Sequence, residues 1–424
     1  MDKLLLKKAA VQSLALMVAV VTSSFAMQQY QAVSISANDE IQESKIVSYE
    51  LAGLDPLQEI NLPVLPDQEQ AASKIFPLAT NLTELKFQVD EGIKGLLSEN
   101  FLAVKKPEVE GSSMTLEDYY VNHSLQLDLT GLRKNDITSN MILRVRGTDF
   151  YAGDPQYTEM ISEETEEDGA VKEIITKDYG KDLCHNIEMN AEQDADTGLY
   201  HVKLLLELDS VYAYSVYEDT NYYYIDLKKP SEVYDRIVVI DAGHGGKDAG
   251  ALSRDQQIYE KNINLGIAMQ LKELLDKENI KVYYTRTEDN TVFLRPRATL
   301  ANSVDGDYFI SIHCNTSDVT YPNGTEVLYY DNIYKGVPAE SLAKLFSEEI
   351  DKSTELKPRG ILLKQMGDIF IMDKAEVPTI LIETGYLSNS DDLSYLINPD
   401  RQKEIAKGIY HGIMRAYNEL PVKN

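Results

Sequence analysis

Four residues in the C-terminal half have types and placements suited to metal and proton chemistry. His244 stands in Gly243-His244-Gly245-Gly246, directly after the apolar run 236–241; His313 closes the run 308–313; Glu383 closes the run 379–383; Glu260 opens the amphipathic stretch 260–277. Two imidazoles and one carboxylate leave a tetrahedral zinc ion with its fourth position open to water, the arrangement of a catalytic rather than a structural site. Zinc in such a site lowers the pKa of its water from about 15.7 toward about 7 and polarises a carbonyl oxygen. A second carboxylate must then carry protons, as general base and afterwards general acid, and Glu383 is the candidate. A single histidine at a strand end is more often a hydrogen-bonded structural residue. The joint occurrence of His, Glu, His and Glu favours the metal reading, with His244, Glu260 and His313 as ligands and the glycines permitting a tight turn beside them.

The elements that must position these groups follow from periodicity. After Pro230 short apolar runs alternate with amphipathic stretches, the pattern of an α/β domain with a mostly parallel sheet covered by helices. Strands are expected at 236–241, 281–286, 308–313, 325–330 and 379–383. Helices are expected at 260–277, 294–302, 339–350 and 401–417, the first with Leu265, Met269, Leu271, Leu274 and Leu275 as its apolar face. In such a sheet ligands gather at the carboxyl ends of the strands, and that rule alone places all four candidate groups on one edge. His123, His185, His201 and His411 show no comparable grouping.

Upstream, Ser124-Leu125-Gln126-Leu127-Asp128-Leu129 alternates with period two, and the Tyr- and Val-rich stretch 211–227 ends in another strand-like run. Residues 93–229 therefore read as a small all-β, sandwich-like domain. Residues 27–92, polar and interrupted by Asp55-Pro56, Leu62-Pro63 and Leu65-Pro66, read as a linker. Residues 1–26 carry Lys3, Lys7 and Lys8 ahead of an apolar stretch and end in Ser24-Phe25-Ala26, the pattern of a secretion signal, or of an uncleaved anchor with the same flanks. Either reading exports the remainder to the cell wall, periplasm or exterior. The formal net charge of −28 argues against a nucleic-acid partner, which needs clustered Lys and Arg. Cys184 and Cys314, the two cysteines, fall in different expected domains, so no disulfide framework is expected.

Residues 236–418 resemble the zinc-dependent N-acetylmuramoyl-L-alanine amidases of the bacterial cell wall. The likeness rests on Ile240-Asp241-Ala242-Gly243-His244-Gly245-Gly246, Glu260 with Asn264-Leu265, Thr285-Arg286-Thr287 with Asp289, and Leu294 with Arg297, Ala301 and Asn302. It continues through Ser311-Ile312-His313-Cys314-Asn315, Arg359-Gly360, and Ile382-Glu383-Thr384-Gly385-Tyr386-Leu387-Ser388-Asn389. The resemblance implies a Zn2+ cofactor on His244, Glu260 and His313, Glu383 as the catalytic acid/base, and Arg359 as a substrate-binding residue. The bond cut would join the lactyl group of N-acetylmuramic acid to the L-alanine of the peptidoglycan stem peptide. Two alternatives stay open: a zinc peptidase acting within the stem, and a wall-binding protein on an inactive amidase fold. Some relatives plug the site with a helix inserted after the second histidine; 313–359 is too short for that here. Cys314, opposite in direction to His313 along an extended strand, is expected as a buried thiol. The β-rich region resembles, more weakly, envelope-targeting domains that hold such enzymes on peptidoglycan or on a division-site partner; a folded spacer is the alternative.

Overall fold

Branched and aromatic residues dominate the strands of the C-terminal half, and the computed structural model assembles them into one six-stranded sheet. It describes residue 89 and residues 91–165 and 171–420. The expected signal 1–26 and nearly all of the expected linker 27–92 lie outside the described residues. The described chain belongs to one compact unit, Gln70–Met366 with Ile371–Asn424, apart from Gly367–Phe370.

The β-rich region supplies β1 (Asn100–Lys105), β2 (Ser113–Tyr119), β3 (Ser124–Leu132), β4 (Ile142–Arg146), β5 (Asp149–Ala152), β6 (Thr158–Thr165), β7 (Val171–Asp178), β8 (Cys184–Gln193), β9 (Tyr200–Leu208), β10 (Ala213–Glu218) and β11 (Tyr222–Lys228). They form two antiparallel sheets, β10-β11-β1-β4-β5 and β2-β3-β9-β8, plus the ribbon β6-β7. The alternation seen in sequence has its cause here. Leu125, Leu127 and Leu129 of β3 and Leu204 and Leu206 of β9 share one buried cluster with Leu102, Ile142 and Ile225 of the other sheet. Inside it, Arg144 donates two hydrogen bonds to Asp182, at 2.7 and 2.6 Å, so the buried charge is matched.

The C-terminal sheet comprises β12 (Ile237–Ala242), β13 (Lys281–Tyr284), β14 (Tyr308–Asn315), β15 (Thr325–Tyr329), the two-residue pair β16 (Ile333–Tyr334) and β17 (Val337–Pro338) set apart from it, β18 (Pro358–Leu363) and β19 (Thr379–Tyr386). Its order is β13-β12-β14-β19-β15-β18. All neighbours are parallel except β15 and β19. The sheet is mostly parallel, as periodicity suggested, with one antiparallel pair that makes it mixed, and β18 was not among the expected strands. The link 316–324 between β14 and β15 explains the reversal, because a parallel return needs a crossover of roughly a dozen residues or more.

Helices α1 (Glu260–Leu275), α2 (Leu294–Ser303), α3 (Ala339–Ser353), α4 (Ser390–Leu396) and α5 (Pro399–Glu419) flank the sheet. The buried stripe of α1 is Ile263, Ile267, Leu271 and Leu275, with Asn264 and Ala268 beside it. Leu265, Met269 and Leu274, expected on that face, are only half-buried. Successive residues four apart keep to one side of a helix, and the Ile263–Leu275 stripe is the one that meets Ile240 and Ile312 in the core. At the sheet margin, the Tyr120 hydroxyl donates to the Tyr284 carbonyl at 3.1 Å and accepts from its N–H at 3.2 Å. A side chain of the β-rich region thus occupies backbone groups of edge strand β13 that would otherwise stand unpaired.

Candidate metal centre

The site is built on the turn that leaves β12. His244 adopts a left-handed conformation, φ 59°, and Gly245 and Gly246 follow at 137° and 57°. Gly243 is required for a different reason: a Cβ there would lie 2.3 Å from the His313 ring. Beneath the turn, Asp241 is fully buried and accepts 2.6 Å hydrogen bonds from Thr285 Oγ1, Arg297 Nη1 and Ser311 Oγ. Arg297 also donates to the carbonyls of Ala242, His244 and Val292, and Arg286 to those of Ala242, Gly243 and Lys261. Two buried guanidinium groups therefore hold the outward carbonyls of the turn and aim the His244 imidazole.

Glu260, first residue of α1, is 3% exposed. Its Oε1 lies 2.9 Å from His313 Nδ1 and accepts from the Cys314 N–H at 3.0 Å; its Oε2 lies 3.3 Å from His244 Nε2 and accepts from the Ala251 N–H at 2.8 Å. One ligand atom from each of His244, Glu260 and His313 lies within 4.8 Å of the others. Donor atoms around a tetrahedral zinc stand about 3.3 Å apart, given bonds of about 2.0–2.1 Å, so the cluster fits such an ion with small side-chain adjustment. Without a cation the three groups share protons. Burial opposes a charged His244, but the hydrogen bonds it donates to Asp248 and Glu260 override it and raise the imidazole to about 10. Glu260 is held well below the usual carboxylate range, burial being outweighed by the two histidines.

Asp248 is a site residue that sequence reasoning missed. Its Oδ2 lies 2.7 Å from His244 Nδ1, which leaves Nε2 facing Glu260. A carboxylate behind a histidine fixes the tautomer and raises ligand basicity, and loss of such a partner typically weakens metal binding about 10–100-fold. Asp248→Asn is expected to weaken zinc affinity by that factor with unchanged thermal stability of the apo protein, read by competition with a chromophoric chelator. Equal affinity in the variant would show that Asp248 does not orient the ring. The signal was present as an Asp four residues after His244, but only the left-handed turn brings it to the ring.

Glu383 is in parallel register with His313 and in antiparallel register with Glu326 of β15. Its Oε2 is buried and has no hydrogen-bond partner. Burial raises the carboxyl to about 7, with His313 opposing and Glu260 and Glu326 reinforcing the rise. Cys314 is a free buried thiol, its Sγ 3.5 Å from Asn264 Oδ1 and 3.3 Å from Thr384 Oγ1, and burial pushes it well above the ordinary thiol range. Arg359 makes no hydrogen bond or ion pair with the three clustered groups. It stands on β18, with Nε 3.4 Å from Glu326 Oε1 and its guanidinium 5.2 Å from the centre of the Tyr386 ring. Between His313 and Arg359 the only helix is α3, whose Leu342, Phe346 and Ile350 lie in the core.

The fold and the cluster together define an α/β protein with a His–Glu–His centre suited to a divalent metal and a second, buried glutamate in register with His313. The family model described as N-acetylmuramoyl-L-alanine amidase matches residues 238–415. The uncharacterized protein YqiI of Bacillus subtilis is 31% identical over 184 residues, covering 43% of this chain and 86% of that relative. N-acetylmuramoyl-L-alanine amidase CwlM of Bacillus licheniformis is 34% identical over 183 residues, covering 43% and 68%. The catalytic domain of CwlV, an amidase from Bacillus (Paenibacillus) polymyxa, is 33% identical, covering 44% of this chain and 99% of that one, with a TM-score of 0.40. The chain belongs to the N-acetylmuramoyl-L-alanine amidase family, as its motifs implied.

Proposed function

We propose that this chain is a zinc-dependent amidase that hydrolyses the bond between the lactyl group of N-acetylmuramic acid and the L-alanine of the peptidoglycan stem peptide. The observation that carries the reading is the pairing of the His244–Glu260–His313 cluster with the unpartnered carboxylate of Glu383. His244, Glu260 and His313 hold the ion, and Asp248 keeps His244 in the tautomer that presents Nε2. Zinc, when bound, supplies a Lewis acid that acidifies water and polarises the scissile carbonyl. Glu383 accepts the proton of the attacking water and returns it to the departing amide nitrogen. The Cys314 thiol stays protonated and takes no part, while its N–H steadies Glu260.

In this reading residues 93–229 are a sandwich-like domain ahead of a catalytic domain 236–420, and their two antiparallel sheets around a common apolar cluster support it. The proposed role of this domain is to hold the enzyme on the envelope, through peptidoglycan itself or a division-site partner. Relatives named as cell wall amidases agree with a location outside the cytoplasm, and the described residues include no helix long and apolar enough to cross a membrane.

The test is a digest of purified peptidoglycan by the full chain, with its metal content measured. Intact stem peptides with a new L-alanine N-terminus and about one zinc per chain are expected. New termini inside the stem would instead establish a peptidase, and neither product nor metal would leave a wall-binding protein.

A further inference from the structure

A guanidinium that sits over an aromatic ring and is ion-paired through Nε yet keeps its terminal nitrogens unused is arranged to receive an anion. Arg359 has this form. Its Nε faces Glu326 Oε1 at 3.4 Å, and its Cζ lies over the Tyr386 ring, 5.2 Å from the ring centre. Its side chain is 33% exposed, and among the described residues its Nη atoms have no hydrogen-bond partner. Glu326 is almost fully buried, at 9%, and Tyr386 is buried at 6%, so the two groups that hold the guanidinium are themselves fixed. Arginine differs from lysine in offering a planar fork that grips a carboxylate through two parallel hydrogen bonds.

The sheet sets the distance from the reacting bond. Tyr386 lies three residues beyond Glu383 on β19, which is about 10 Å along a strand. An extended peptide advances at most about 3.6 Å per residue. A substrate whose scissile carbonyl sits at Glu383 therefore brings its second or third stem residue beneath the guanidinium. In the stem peptide the second residue is D-glutamate joined through its side-chain carboxyl, so its α-carboxylate is free, unless it is amidated to D-isoglutamine. We propose that Arg359, positioned by Glu326 and Tyr386, binds this α-carboxylate and makes the enzyme selective for stems with unamidated D-glutamate. The inference rests on the amidase reading and adds a specificity determinant to it.

The probes are N-acetylmuramoyl-L-Ala-γ-D-Glu-L-Lys-D-Ala-D-Ala and its D-isoglutamine counterpart, cleaved by zinc-loaded wild type, Arg359→Met and Arg359→Lys. L-Lys at the third position leaves no other side-chain carboxylate. Wild type is expected to favour the D-glutamate form by about 10–100-fold in kcat/KM, the range of a charge-assisted hydrogen-bonded contact. Arg359→Met loses that preference, its kcat/KM on the D-glutamate form falling through a raised KM to the level of its D-isoglutamine form. Arg359→Lys falls between, because it keeps the charge without the fork. Equal losses on both substrates, or a wild type indifferent to amidation, would overturn the proposal while leaving the amidase reading intact. If wild type frees no L-alanine N-terminus from either probe, the amidase reading fails first and the proposal falls with it.

Discussion

Glu383→Gln is expected to lower kcat for stem-peptide release by about 10²–10⁴-fold, the usual contribution of a positioned general acid–base, while zinc content stays at the wild-type level. The substitution keeps shape and removes the proton acceptor, so the two measurements separate proton transfer from metal binding. Glu383 touches none of the three clustered groups through a hydrogen bond, and its Oε2 is unpartnered; a loss of zinc in the variant would therefore contradict its assigned role. The sign of the pH dependence follows from the same carboxyl. Burial, helped by Glu260 and Glu326, raises it to about 7 in the metal-free site, and a bound cation draws it lower. Only the ionised form accepts the proton of water. Activity therefore falls as pH drops through an acid limb at or below about 7, and Glu383→Gln should remove that limb along with most of the rate.

Arg297→Met should destabilise the fold by about 3–5 kcal/mol, because it leaves a buried carboxylate uncompensated. Asp241 has no exposure, and its three side-chain donors are Arg297, Thr285 and Ser311. Burial alone would raise the Asp241 carboxyl; Arg297, with His313 and the two hydroxyls, draws it down to about 2. A carboxyl depressed in the folded state contributes stability above its unfolded pKa of about 3.9, which is lost as pH falls through the folded value. The wild-type protein should thus keep this contribution until strongly acid conditions, and the variant should lack it at neutral pH. Urea unfolding of Arg297→Met beside Asp241→Asn/Arg297→Met gives the check. Removing the charge as well should recover part of the loss. An equally unstable double variant would assign the effect to the lost carbonyl contacts of Arg297 at Ala242, His244 and Val292.

Much of the site was legible before any coordinates. His244 follows the end of β12 and Glu260 opens α1, as the apolar runs announce, whereas β14 and β19 continue past His313 and Glu383, which therefore lie near the strand ends rather than at them. The motif Ser311-Ile312-His313 likewise carried Ser311, whose partner Asp241 could be named only as a motif residue. Of the expected α1 face Leu271 and Leu275 are buried, whereas Leu265, Met269 and Leu274 are half-buried and Ile263 and Ile267 complete the stripe; composition does not reveal the rotation of a helix against its sheet. The direction of β15 was hidden because strand propensity carries no polarity, and only the short 316–324 link bears on it.

By itself the sequence determined the candidate groups: two imidazoles, two glutamates and a glycine turn, at spacings that alternating strands and helices bring to one sheet edge. Tertiary structure decided which atoms face one another. Asp248 reaches His244 Nδ1 through a left-handed backbone, Arg297 and Arg286 hold the turn from beneath, and Glu326 lies opposite Glu383 because β15 runs antiparallel to β19. Asp248 is only four residues from His244, but the two arginines reach the turn residues 242–244 from 43 to 55 positions away, and β15 and β19 are neighbours in the sheet but not in the chain; packing free energy, rather than local propensity, selects among such arrangements.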